Sequence, residues 1–349
     1  MSAPYLDATF AIDGHLARAL DDYEPRDGQI ALARAVDDAI GRGLHLLAES
    51  PTGTGKSIGY AVPVTHHANA GLRAVIATAN IALQEQLARK DLPLLARALP
   101  WDVSFALLKG RNNYLCVARL AETRTGQLPF GADPGDAAAR AAIEEWATTT
   151  TTGDVSDLPF EPSPRVWRRY SVLAEDCPAA LCRFHDECFA MRARAAAGRA
   201  SVVVTNYHLL FAHLQLRDAT GEERVLPHFD VAVLDEGHKA ADIARDFFGF
   251  RVSAGAVRFA GRLLPRAGNE GLRAVLEAQA TEFFGALLAY RRSPDYRARL
   301  RDPDAVPCEE LCATLRAAAR AYVSAAEAAQ DQGEHAELER AAWRADTLA

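Results

Sequence analysis

No apolar run in the chain approaches the roughly 20 residues that a membrane-crossing helix requires, so no span is expected. Positive charge is not in excess either. Lys and Arg number 39 against 46 Asp and Glu, a net charge of -7. That balance excludes a basic nucleic-acid coat over the whole surface, though not a local groove. Cysteine is scarce, six among 349 residues, too few for a disulfide scaffold in a chain this long. Several are clustered, which predicts a reducing, cytoplasmic setting with metal chemistry. The opening residues Met1–Asp7 have neither a basic start nor an apolar core, so no secretory signal is expected. Internal repeats are absent. What remains is 49% hydrophobic and 24% charged, a globular composition whose length predicts two or more lobes.

The stretch that organises the rest is Glu49-Ser50-Pro51-Thr52-Gly53-Thr54-Gly55-Lys56-Ser57. An apolar run, Leu44–Ala48, precedes it and is expected to be a strand; Ile58–Val62 follows and can begin a helix. Strand, glycine-containing loop and helix are the context of a phosphate-binding P-loop. Gly53 and Gly55 let the backbone turn tightly, so that N–H groups of Thr52, Thr54 and the helix start converge on an anion. Lys56 would reach the β- and γ-phosphates of ATP, and Ser57 would hold Mg²⁺ through its hydroxyl. Ser50 stands where the general pattern has its first glycine. About twenty residues upstream, Gln29 opens a helix predicted to run to Ile40. Its amide offers the donor and acceptor that an adenine edge requires.

Later strands are read at Arg73–Asn80, Ser104–Leu108, Ser201–Tyr207 and, buried, at Val231–Leu234. In an open parallel sheet, ligands gather at the carboxyl ends of the strands, where Thr78, Asn80 and Gln84 fall. Asn80 is also placed to cap the next helix. The strand at Val231–Leu234 delivers Asp235, Glu236 and His238. Asp235 suits the Mg²⁺ shell and Glu236 suits the general base that polarises the attacking water. His238 would sit toward the γ-phosphate. About ninety residues look inserted between two strands of this sheet, and beyond about Gly249 the pattern is helical.

The insertion carries Cys116, Cys177, Cys182 and Cys188, the last three spaced C-x4-C-x5-C. Four thiolates suit a [4Fe–4S] cluster or an all-cysteine zinc site. The lack of any C-x2-C step favours iron–sulfur modestly. Cys308 and Cys312 fall on one helical face with Leu311, Leu315 and Tyr322, a core-packing pattern. Arg111, Tyr114, Trp167, Arg168, Arg169, Tyr170, Arg183 and Phe184 interleave bases with aromatic rings, as single-strand binders do. Over residues 105–200, twelve Lys and Arg balance twelve Asp and Glu, so the acidity lies elsewhere.

Together these blocks resemble the iron–sulfur superfamily-two helicases of the DinG and XPD type, the bacterial DinG branch more closely. The resemblance is carried by Pro25-Arg26 with Gln29, Glu49–Ser57, Asn80 with Leu83–Leu87, and Lys109–Cys116. It continues through Thr152–Asp154, the cysteine trio, Val203–Leu210 and Asp235-Glu236-Gly237-His238, where the family usually has alanine at Gly237. It implies an α/β fold: a RecA-like P-loop NTPase lobe with a parallel sheet (residues 1–108 and 199–249), an inserted iron–sulfur lobe (109–198) and a helical arch (250–349). It implies ATP, Mg²⁺ and a [4Fe–4S] cluster as cofactors, and a 5′-to-3′ DNA helicase motor in repair or replication. Thr78, Asn80, Arg111, Tyr114 and Asn206 are then nucleic-acid contacts. Single-stranded and forked DNA are the expected partners, with replication or repair proteins beside them, and the protein is expected to be a cytoplasmic monomer. The family's second RecA-like lobe is missing from these residues, so the chain is expected to be the N-terminal part of a longer protein, unable to unwind DNA alone. Two other functions fit the same residues: a nucleotide-gated DNA-binding module without unwinding, and a metal-binding redox-sensing ATPase.

Overall fold

The computed structural model describes residues 3–51, 53–124, 134–174, 176–223, 225–249, 252–289, 306 and 308–349. Thr52 lies outside them. The chain divides into two compact units, Met1–Phe248 and Gly249–Ala349.

In the first unit, helices α1 (Pro4–Phe10), α2 (Asp27–Arg42) and α3 (Lys56–Asn69) precede strand β1 (Ala74–Thr78). Helix α4 (Ile81–Gln86), a π-helical turn (Leu87–Asp91) and α5 (Leu92–Ala98) lead to β2 (Phe105–Leu107). The inserted segment holds α6 (Val117–Arg124), α7 (Pro134–Trp146), the short α8 (Pro164–Trp167) and α9 (Phe189–Arg199). Strand β3 (Val202–Asn206), α10 (Tyr207–Thr220), β4 (Val231–Leu234) and α11 (Ala240–Phe248) complete the unit.

The strands form one parallel sheet in the order β2-β3-β1-β4. Ala74 is in register with Val202 on one side and Val231 on the other. The two inner strands are buried on both faces, which is why β1 and β3 read as unbroken apolar runs. Ile76, Val202 and Val204 face a core shared with Leu6, Tyr60 and Leu95. Val75, Ala77 and Val203 face the opposite core with Tyr207 and Leu210. Each buried Val, Leu or Ile among them contributes about 1.5–3 kcal/mol by leaving water. The result is an α/β arrangement with a four-stranded parallel sheet, consistent with a RecA-like lobe.

Two sequence expectations are corrected here. Leu44–Ala48 forms no strand, and Leu44, Leu46 and Leu47 are 51%, 44% and 100% exposed. A strand needs a neighbouring strand for its N–H and C=O groups, and no described strand pairs with this run. Strand β4, expected to be buried, is instead the open edge of the sheet, with Leu234 48% exposed.

Between β2 and β3 the inserted segment has its own core of Tyr114, Ile143, Val166, Trp167, Tyr170 and Phe189. It adds no strand among the described residues. Phe105 pairs directly with Val202, so the sheet closes across the base of the insertion.

The second unit is helical: α12 (Ala254–Ala260), α13 (Glu270–Ala289), α14 (Glu309–Ala328) and α15 (Gln332–Leu348). Leu264, Leu276, Leu315, Tyr322 and Ala345 fill its core, and the Tyr322 hydroxyl donates to Ala260 O at 2.6 Å. Cys312 is half-buried, but Cys308 is exposed. The expected core role fails for Cys308 because it precedes α14 as its N-cap, off the packed face.

Candidate functional site

Helix α3 begins at Lys56 because Gly55 ends the preceding loop in the left-handed region, φ +77°. Gly53 does the same at +79°, a conformation that costs glycine little and other residues more. Gly55 is constrained twice, since a Cβ there would lie 2.1 Å from Gln29 Nε2. The loop is braced from α2 and the residue before it. Arg26 Nη1 donates to Gly53 O at 2.6 Å, and Gln29 Nε2 donates to Gly55 O at 2.8 Å. Gln29 is buried, so in this structure its amide holds the loop backbone. Ser50 and Thr54 hydroxyls meet at 2.6 Å, and Thr54 also donates to Pro51 O. Gly59, one turn into α3, allows the close α2–α3 approach: a Cβ there would stand 3.1 Å from Leu32.

The carboxyl ends of β1, β3 and β4 stand side by side and carry Thr78, Asn206 and Asp235. Asp235 N–H donates to Ala77 O at 2.9 Å, continuing the ladder. Burial, then the Glu236 charge, pushes the Asp235 carboxyl above the usual carboxylate range, with Lys56 opposing. Glu236 sits at φ +56°, an uncommon conformation for a non-glycine residue that signals stored strain. That turn directs its carboxylate to Lys56 Nζ at 3.2 Å, and His238 Nδ1 lies 3.3 Å from its other oxygen. Lys56, Asp235, Glu236 and His238 are thus brought together from segments some 180 residues apart.

Several neighbours carried no sequence signal of their own. The Tyr207 hydroxyl donates to Asp235 O at 2.9 Å. The buried Tyr60 hydroxyl lies near Ser57 and Asp235 without a hydrogen bond of normal geometry. Asp91, closing the π-helical turn, is buried beside Ser57 and Gln86. Burial pushes its carboxyl upward, against those two hydrogen bonds. The spacing of Ser57 and Tyr60 on one helical turn could have suggested that pair. Nothing in a linear pattern marks a π-turn, so Asp91 was not legible.

Of the residues expected to touch nucleic acid, Asn80 and Asn206 are N-caps. Each Oδ1 accepts a backbone N–H, from Leu83 at 3.0 Å and Leu209 at 2.9 Å. Thr78 is buried, with its hydroxyl donating to Asn80 O. Arg111 is half-buried beside the cysteines. Tyr114 departs from the expectation: it is 4% exposed, and its hydroxyl accepts the Lys109 N–H at 3.1 Å. Its ring is core, with no face open to a base.

Cys116, Cys177, Cys182 and Cys188 line one cavity of about 200 Å³, and none is in a disulfide. The Leu115 N–H donates to Gly153 O and the Cys116 N–H to Tyr170 O, both at 2.7 Å, which fixes Cys116 at the start of α6. Burial raises the Cys116 thiol, the nearby N–H groups of Arg119 and Ala118 lower it, and Cys188 and Cys177 add to the rise. Elsewhere among the described residues, Asp37, His66 and His67 each offer one ligand atom within 4.8 Å of the other two.

No protein-family model matches the chain. It is 35% identical over 248 residues to the ATP-dependent DNA helicase YoaA of Escherichia coli, covering 70% of this chain and 38% of that protein. To the ATP-dependent helicase DinG of Mycobacterium tuberculosis it is 38% identical over 279 residues, 75% of this chain and 41% of that one. The 3'-5' exonuclease DinG of Bacillus subtilis matches at 33% over 241 residues, 68% of this chain and 25% of that one. The chain spans about two fifths of the length of the first two relatives. Across the residues so matched, about 70% of its length, the chain is similar to the DinG and YoaA proteins.

Proposed function

We propose that this chain is the ATP-binding and cluster-bearing portion of a DNA helicase that moves 5′ to 3′ on a single strand. The observation that carries the reading is the meeting of Lys56 with Glu236 at 3.2 Å, at the mouth of a glycine loop and beside Asp235. In this reading the loop from Thr52 to Gly55 and Lys56 cradle the ATP phosphates, and Ser57 with Asp235 holds Mg²⁺. ATP displaces the Lys56–Glu236 pair, freeing Lys56 for phosphate and Glu236 for water. Gln29 turns from the loop backbone toward adenine, and His238 relays the occupied state. Asn80, Arg111 and Asn206 line the nucleic-acid side, while Thr78, buried at the end of β1, holds the Asn80 backbone from behind. Residues 1–108 and 199–249 act as the RecA-like lobe, 109–198 as the cluster insertion and 250–349 as the arch.

The four cysteines around one cavity fit an iron–sulfur cluster. A closed tetrahedral zinc site, with Zn–S bonds of about 2.3 Å, would bring its sulfurs to roughly 3.8 Å from one another; a [4Fe–4S] cube is larger and holds them farther apart. The group would supply a rigid four-point clamp on segments that otherwise share little backbone pairing.

Nucleotide binding tests the core of the proposal on this chain directly. With Mg²⁺ and a fluorescent ATP analogue, Lys56→Ala is expected to weaken binding at least about tenfold, the loss of one charge-assisted contact. Equal binding by Lys56→Ala refutes the site. Iron and acid-labile sulfide analysis after anaerobic purification tests the cluster: about four of each are expected per chain, and Cys182→Ser should lose them. One zinc and no sulfide would overturn the cluster assignment while leaving the P-loop intact.

A further inference from the structure

At the far end of α3 from the P-loop, His66 and His67 face Asp37 of α2. One ligand atom from each residue lies within 4.8 Å of the other two. Asp37 Oδ1 accepts the Tyr5 hydroxyl at 2.6 Å and lies 2.9 Å from His67 Nε2. These contacts account for His67 and Asp37 but not for His66.

His66 Nδ1 is buried and has no hydrogen-bond partner. An unpaired buried nitrogen has lost its water without a replacement and calls for an explanation, an ion among them. The ring's surroundings do not supply one. Tyr5 stacks on it at 3.7 Å and 5°, and Trp101 meets it edge-on at 5.1 Å. Stacking fills the ring face and leaves Nδ1, in the ring plane, without a partner. Burial, then the neighbouring His67, keeps His66 below the usual imidazole range, with Asp37 opposing.

We propose that Asp37, His66 and His67 form a binding site for a divalent transition-metal ion of the Zn²⁺, Co²⁺ or Ni²⁺ class. Two imidazoles and one carboxylate suit these ions, whereas Mg²⁺ and Ca²⁺ take oxygen donors. The ion takes the place of the proton shared between His67 and Asp37. The Tyr5 hydroxyl remains on the carboxylate and orients it, as outer groups of metal sites do. Both elements are helices packed closely through Gly59 and Leu32, so the donors need little ordering. The ion pins the last turn of α3 to α2, while the first turn of the same helix carries Lys56 and Ser57. This site stands apart from the nucleotide and cysteine chemistry and does not depend on either.

Co²⁺ is the probe, because its spectrum separates the two donor classes. Cobalt on the cysteines gives sulfur-to-metal charge-transfer absorption; cobalt on this trio gives weak visible bands without it. The expected result is one Co²⁺ equivalent lacking sulfur absorption. His66→Gln and Asp37→Asn should each weaken it by at least about tenfold, as loss of a ligand costs no less than loss of an outer-shell group. His66→Gln leaves the His67–Asp37 and Tyr5–Asp37 contacts in place, so it preserves the fold if Asp37→Asn does not. Zn²⁺ should raise the melting temperature of the parent chain more than that of His66→Gln, because binding to the native state stabilises it. Unchanged cobalt binding in His66→Gln, or sulfur absorption from every bound ion, overturns the proposal.

Discussion

Lys109→Met is the perturbation whose effect the structure defines best. The Lys109 side chain is fully buried, and its ammonium touches Glu85, Asp154 at 2.6 Å and the Ser156 hydroxyl at 2.7 Å. Glu85 belongs to α4, whose cap is Asn80. Asp154 pairs across an isolated bridge with Tyr114, two residues before Cys116. One cation thus ties the strand-end helix to the cysteine segment. Methionine keeps the volume and removes the charge. Glu85 retains Arg89, but Asp154, whose side chain is 6% exposed, loses its cation. Breaking a buried ion pair from one side costs about 3–5 kcal/mol, and a single orphaned carboxylate places Lys109→Met near the lower end. With a urea slope of about 3 kcal/mol/M, the midpoint falls by about 1 M. Tryptophan fluorescence reports it, since the buried Trp167 donates to Asn112 O inside the same segment. Lys109→Met with Asp154→Asn should recover part of the loss, because the uncompensated charge is then gone. The pH dependence adds an independent check. Burial pushes the Glu85 carboxyl up, but Lys109, Ser156 and Arg89 outweigh it and hold it below the usual range. A depressed folded pKa contributes stability above the unfolded value, about 4.3 for Glu, that is lost as pH falls through the folded one. Lys109→Met should flatten that acid limb. A midpoint shift under about 0.3 M, or a double variant no more stable than the single, refutes the reasoning.

Gly153 sits at φ +62°, and a Cβ would stand 2.3 Å from Phe189 Cγ; Gly153→Ala should cost about 2–4 kcal/mol by strain and overpacking and, under the proposed cluster assignment, release iron faster from the purified protein. Gly55→Ala loses the left-handed turn and the Gln29 brace; Mg²⁺-nucleotide affinity should drop at least about tenfold, and retention of affinity would show that the loop tolerates another path. The raised Asp235 carboxyl must be ionised to hold Mg²⁺, so Mg²⁺ affinity should fall as pH drops through a value above the ordinary carboxylate pKa of about 3.9. The apo fold shows the opposite sign: a raised folded pKa contributes stability below the unfolded value that is lost as pH rises through the folded one. Asp235→Asn should abolish both dependences, read by Mg²⁺ titration and by melting at a series of pH values.

The sequence by itself determined the local chemistry of this protein. Gly53 and Gly55 mark the loop because their positive φ angles suit residues without a Cβ. Asn80 and Asn206 mark helix starts because their side chains satisfy open N–H groups. The inner strands are legible because burial on both faces demands unbroken apolar runs. All of these are constraints between near neighbours. Pairing across long separations was decided only by the tertiary structure. Leu44–Ala48 has the composition of a strand but finds no partner strand among the described residues, and β4 has the apolar character of an inner strand yet lies at the edge. Tyr114 reads as a surface ring beside basic residues, but packing puts it in the core with its hydroxyl on Lys109. Gln29, Asp91 and Lys109 owe their roles to partners between 24 and 47 residues away. A hydrogen bond or ion pair of that reach depends on how elements dock, and docking is set by the sum of many weak apolar contacts that no single motif encodes.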